Sequence, residues 1–165
     1  MRTNTGVAFW LALLCTLLCP LFFPKYHLFF FVPYLVVCFY RHSRFAVLWR
    51  AFGCGVIIDL LSSGPFFGFS SLNYCFVSFF LFGQTRNFFE DKLSTLPLMT
   101  FLFSFLSTGL SLILALFFGN GYPLSGVWIV TDLIGMPFAD ATYALLVFSL
   151  PFQLVYGLKK IRFHT

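Results

Sequence analysis

The sequence predicts an all-α integral membrane protein: a bundle of about six transmembrane helices forming a single polytopic domain over residues 1–165. Three observations carry this prediction. Hydrophobic residues make up 60% of the chain and charged residues only 9%, where soluble domains carry about 25% charged residues. The apolar residues come in runs whose lengths approach the ~20 residues needed to cross a hydrocarbon core. The few basic residues fall in short groups between those runs, which is how membrane proteins encode orientation.

Taken in order, the predicted spans are 7–23, 28–40, 46–61, 67–83, 96–118 and 139–158. The connections hold the helix breakers: Pro24 to His27, Arg41 to Arg44, Ser62 to Pro65, and Gly119 to Gly121. Arg2 ahead of the first run resembles a signal peptide. No small-x-small cleavage site follows, and the run leads into Pro20 and Pro24, so it is read as an uncleaved span. The second stretch is the shortest and is expected to tilt, to extend into its flanks, or to stop short of crossing. With all six crossing and the N-terminus cytoplasmic, Arg2, Arg41, Arg44, Arg86, Lys92, Lys159, Lys160 and Arg162 lie inside and Lys25 alone lies outside. The positive-inside rule then puts both termini in the cytoplasm. Arg50, about one turn into the third span, is expected to snorkel to that same face.

The net charge of +5 does not point to nucleic acid, because the basic residues form no stripe and no reading-helix motif. The five cysteines sit inside apolar runs without C-x-x-C spacing or nearby histidines, so they read as buried thiols and not as metal ligands. No metal or cofactor is expected. His27, His42 and His164 lie in loops or the tail, and no zincin, nucleophile-elbow or phosphate-loop motif is present, so the sequence gives no sign of an enzyme.

Asp59 is the most informative residue, since an ionised carboxylate inside an apolar span is costly unless paired or near water. It is either a functional acid or a helix-end acid accepting hydrogen bonds from Ser62, Ser63 or nearby backbone. The span order places it with Asp132 and Asp140 toward the outer face. Asp132 falls in the connection 119–136, which also holds Tyr122 and Trp128, and Asp140 reads as a first-turn acid after Pro137. Glu90 and Asp91 share a cytoplasmic loop with Arg86 and Lys92. In the fifth span Ser104, Thr108, Ser111 and Ala115 form a stripe of small residues at helical spacing, suited to close helix packing. Gly53 and Gly55 predict a second close approach. The tail residues Lys159, Lys160 and Arg162 are expected to lie against anionic headgroups.

The stretch from Tyr34 to Arg41, followed by Ala51-Phe-Gly-Cys-Gly-Val-Ile-Ile-Asp59-Leu-Leu-Ser-Ser-Gly64-Pro65-Phe-Phe-Gly68, resembles the bacterial rod shape-determining MreD family. That family follows a span ending in basic residues with a small-residue span, a G-x-x-x-D-L motif and a Gly/Pro turn. Gly55 to Asp59 keeps the spacing, and the ending from Pro151 to Arg162 is similar to the family's closing pattern. The resemblance covers about a quarter of the chain.

It implies a non-catalytic membrane subunit of the rod complex, with MreC, MreB and the peptidoglycan elongation enzymes as partners. It also implies a fold similar to the substrate-binding subunits of energy-coupling-factor transporters. Gly55, Asp59, Gly64, Pro65 and Gly68 would then be structural or partner-contact residues. A vitamin-binding transporter subunit is the competing expectation. A lipid-modifying enzyme using Asp59, Asp132 or Asp140 is a distant third.

Overall fold

The computed structural model describes residues 5–22, 29–62, 67–84, 95–117 and 129–149, and the described residues are all-helical. Five α-helices come first: α1 (Thr5–Phe22), α2 (Val32–Phe39), α3 (Arg44–Leu61), α4 (Phe69–Phe82) and α5 (Thr95–Phe117). The last segment is continuous, with α6 (Met136–Tyr143) flanked by wider, π-wound turns at Ile129–Gly135 and Ala144–Ser149.

Among the described residues, two stretches, Thr95–Leu114 and Val130–Ser149, are long and apolar enough to cross a membrane, and Thr5–Leu18 and Phe69–Phe82 are shorter apolar helices. α3 has 18 residues but carries Arg44, Arg50 and Asp59.

α2 is the centre of the molecule. All eight of its residues are buried, and it packs on α1, α3 and α5. Pro33 starts it at a position where a missing N–H costs nothing. Its eight residues rise only about 12 Å, and Phe30 and Phe31 just before it are buried as well. Phe31, Leu35 and Val36 join Val47 of α3, Tyr74 and Leu81 of α4, Met99 and Phe103 of α5, and Phe148 in one apolar core.

α3 and α4 form the most extensive pair, an antiparallel hairpin in which Arg44 at the start of α3 meets Phe79 and Phe82 at the end of α4. α1 and α3 both run antiparallel to α2, and so parallel to each other: Phe9 of α1 meets Tyr34 and Arg50 of α3 meets Cys38, while Leu13, Thr16 and Leu17 of α1 and Ile57, Leu60 and Leu61 of α3 line a groove of about 200 Å³ with Phe31. Large apolar side chains cover the outside, among them Trp10, Phe45, Trp49, Phe76, Phe80 and Phe117. Exposure of this kind marks a surface built to meet partners or lipid.

The last helical segment differs from the predicted span. It already includes Ile129, ten residues before the expected 139, and places Asp132 within the helix and not in a connecting loop. Pro137 reads as a helix start because it cannot bond the carbonyl one turn back. Here the helix continues through it, with wider turns on its N-terminal side.

Candidate functional site

Two buried carboxylates organise the interior. Asp59, in the last turn of α3, faces the start of α4. Its Oδ2 accepts the Gly68 N–H at 3.1 Å, the Ser71 N–H at 3.1 Å and the Ser71 hydroxyl at 2.9 Å, while its Oδ1 accepts the Ser70 N–H at 3.0 Å. An α-helix starts with N–H groups that have no partner inside it. A carboxylate there satisfies them with charge-assisted bonds and complements the positive end of the helix dipole. Asp59 is therefore a helix cap supplied by a neighbouring helix.

Two glycines make the cap possible. Gly68 takes φ +92° just before α4, a left-handed conformation that side chains disfavour. Gly55 lies one turn before Asp59 on the same face of α3. A Cβ on it would stand 2.3 Å from Ser71 Cα and 2.7 Å from Ser71 N, so only glycine lets the α4 backbone approach closely enough. Gly53 does not share this role, since a Cβ there would meet nothing within 4 Å. Of the donors expected for Asp59, nearby backbone supplies three, the N–H groups of Gly68, Ser70 and Ser71, whereas the Ser62 N–H bonds the Ile58 carbonyl instead. The donors come from beyond the turn. Ser63, Gly64 and Pro65 lie outside the described residues.

Asp140 is fully buried and stands in the middle of its helix, so it is not a first-turn acid. Its Oδ1 accepts the Phe29 N–H at 2.9 Å, and its Oδ2 pairs with the Ser104 hydroxyl of α5. Phe29 opens the turn into α2, where its carbonyl accepts the Val32 N–H. Non-helical backbone inside a packed interior needs partners for its polar groups, and Asp140 supplies one from the far end of the sequence. Asp132 accepts instead from Thr131 at 2.8 Å. Each of the three acids thus has its own partners.

The predicted stripe on α5 divides. Ser104 turns to Asp140, and Ser111 accepts the Asn73 amide of α4 at 2.7 Å. Thr108 bonds the Ser104 carbonyl within its own helix, and nothing is described of the Ala115 side chain. Sequence reasoning missed Asn73 and Ser107. Asn73 also donates to the Ser107 carbonyl at 3.1 Å, tying α4 to α5. An amide in an apolar helix was the available signal, because such groups bridge helices.

At the opposite end of the α3–α4 hairpin, Arg50 reaches Cys38 Sγ at 3.2 Å and His42 Nδ1 at 3.1 Å. Burial and the neighbouring Arg50 charge hold the His42 imidazole below its ordinary pKa. Lys159, Lys160 and Arg162 lie outside the described residues.

Chemically, both carboxylates are held by structural donors. Among the described residues no group of three or more His, Cys, Asp or Glu is arranged to hold a metal ion. No family model, curated protein or solved structure matches the chain.

Proposed function

We propose that this protein is a six-crossing scaffold subunit of the bacterial cytoplasmic membrane, a member of the MreD family. In that role it helps organise peptidoglycan synthesis and cell shape through MreC, MreB and the elongation enzymes. The observation that carries the reading is the Gly55–Asp59–Gly68 arrangement. Three of the residues that bear the resemblance, Gly55, Asp59 and Gly68, form one structural device, and its carboxylate is engaged by four donors. Such a device fixes the shape of a hairpin and suits a subunit that works by presenting surfaces. The apolar exterior suits lipid and helix partners.

The charge count alone does not separate two topologies. Five crossings with an outer N-terminus put Lys25 inside and only Arg2 outside, an equal bias. The parallel course of α1 and α3 favours six crossings, because the chain between them must return through α2. A reporter on the N-terminus distinguishes them: protection in sealed spheroplasts fits six crossings, and labelling from outside fits five.

The transporter alternative needs several convergent polar groups in a pocket. The α1–α3 groove is lined by six apolar side chains and Thr16, whose hydroxyl bonds the Ala12 carbonyl at 2.8 Å. Co-purification with MreC from solubilised membranes tests the scaffold role. Specific recovery is expected, together with loss of rod shape on depletion. A stable, inserted protein that recovers no MreC, or that retains a vitamin through purification, contradicts the proposal.

A further inference from the structure

The partners of Asp140 leave its protonation state open. Its Oδ1 accepts the Phe29 N–H at 2.9 Å, and its Oδ2 pairs with the Ser104 hydroxyl. A hydroxyl donates or accepts. The same pair therefore fits an ionised carboxylate and a neutral acid that donates from Oδ2 to Ser104 Oγ. The backbone N–H groups on both oxygens of Asp59 fit the carboxylate alone.

A seam of buried oxygens starts at Asp140. Ser104, Ser107 and Ser111 follow one another at spacings of three and four on one face of α5. Asn73 of α4 bridges the last two, donating to the Ser107 carbonyl at 3.1 Å and to Ser111 Oγ at 2.7 Å. Tyr74, the next residue of α4, packs its ring on Phe29 and on Phe103, beside the two groups that hold Asp140. It lies close enough for its charge and that of Asp140 to act on each other. Asn73 Oδ1, Tyr74 OH and Ser107 Oγ are buried and have no hydrogen-bond partner. Asn73, the least buried of these three residues, is 3% exposed. Buried oxygens of this kind are where internal water binds. The seam runs about 10 Å along α5, from fully buried Asp140 and Ser104 to half-buried Ser111.

α5 brings no ionisable side chain to this acid. α4 brings Tyr74, and the last segment brings Asp132, held by Thr131, and Tyr143, packed on Phe30 and Phe148. Lys25 and His27, ahead of Phe29, lie outside the described residues.

We infer that Asp140 is a proton-binding site, exchanging its proton with solvent through water that links Ser104, Tyr74 and Ser107 to Ser111. Asn73 Oδ1 orients that water by accepting from it. At each hop an oxygen that gives a proton to one neighbour takes one from the other. Asp140 Oδ2 gains one O–H bond and the solvent loses one proton. The site stands apart from the scaffold role and from the number of crossings.

The test is infrared difference spectroscopy of the full chain in detergent micelles, through a pH series in water and in heavy water. As the pH falls, a carboxylic acid C=O band that Asp140→Asn removes is expected to appear before any band that Asp59→Asn removes. Appearance of the Asp59 band first, or no band that depends on Asp140, overturns the site. Lys25→Gln/His27→Gln is expected to leave the Asp140 band at the same pH. Its displacement in that variant overturns the inference in favour of an ion pair.

In heavy water the Asp140 band is expected to move to lower frequency as O–H becomes O–D. Ser107→Ala keeps the carbonyl that Asn73 bonds and removes the buried hydroxyl, so it is expected to slow that shift. Thr142→Val, an exposed hydroxyl bonded within its own helix, is expected to leave the rate unchanged. Equal rates in wild type and folded Ser107→Ala overturn the route. A thermal melt accompanies each variant. Ser104→Ala, expected to move the band by removing one partner of Oδ2, carries the test if Asp140→Asn does not fold, and an unmoved band there overturns the assignment.

Discussion

Asp59 and Asp140 answer the same problem in different ways. Each is a carboxylate placed where water is scarce, and each accepts backbone N–H groups that would otherwise lack partners. Asp59 gathers donors from residues 68, 70 and 71, a few positions along the chain, and all of them belong to one helix start. Asp140 joins Phe29, 111 residues away, to Ser104 of α5. The first stiffens a local hairpin. The second closes the bundle by anchoring the turn into α2 to the last helical segment. The first also needs an anion, because its donors crowd both oxygens. The second has one fixed donor and one hydroxyl that can either donate or accept.

Substitutions separate the two regions, and the largest effect is expected at Gly55. Gly55→Ala drives a Cβ into the Ser71 backbone and should cost about 3 kcal/mol, the upper range for overpacking. Gly53→Ala, which meets nothing within 4 Å, should be neutral or slightly stabilising. Thermal unfolding in detergent compares the pair, and equal effects would mean that α3 and α4 are not in close contact at Gly55.

Asp59→Asn comes next. One oxygen becomes an NH₂ facing N–H donors, so a loss of about 2 kcal/mol is expected from a buried, charge-assisted set of bonds. Asp140→Asn should lose less than about 1 kcal/mol, because its amide oxygen still accepts from Phe29 and its NH₂ can donate to Ser104. Asp140→Leu, which strands the Phe29 N–H, should cost about 2 kcal/mol. Equal losses for the two Asp→Asn variants would erase the distinction between the sites.

The smallest expected effect is pH dependence at His42. Its pKa is lowered in the folded protein by burial and by Arg50, so its contribution to stability is present above the ordinary value of 6.5 and is lost as pH falls through the lowered one. NMR titration should show the imidazole titrating below its ordinary range, and Arg50→Gln should move it back up.

The comparison also explains what the sequence could reveal. Gly55 and Asp59 are one helical turn apart and share a face. Their partners follow the next turn, so the hairpin left a local signature. The long apolar runs placed the helices for the same reason: burial pattern is a local property. Asp140 has no such signature, because nothing near it encodes Phe29. Pro137 pointed to a helix start, but the segment runs through it by widening its turns. The full burial of α2 could not be read from its own residues either, since an apolar run looks the same whether it meets lipid or protein.

The most direct test of the capping account is amide hydrogen exchange on wild type and Asp59→Asn. Strong protection at Ser70 and Ser71 in the wild type should collapse in the variant, with the Phe29 amide unchanged and the reverse pattern in Asp140→Leu. Unaltered protection of Ser70 and Ser71 in a folded Asp59→Asn protein would contradict the claim that this carboxylate holds the start of α4.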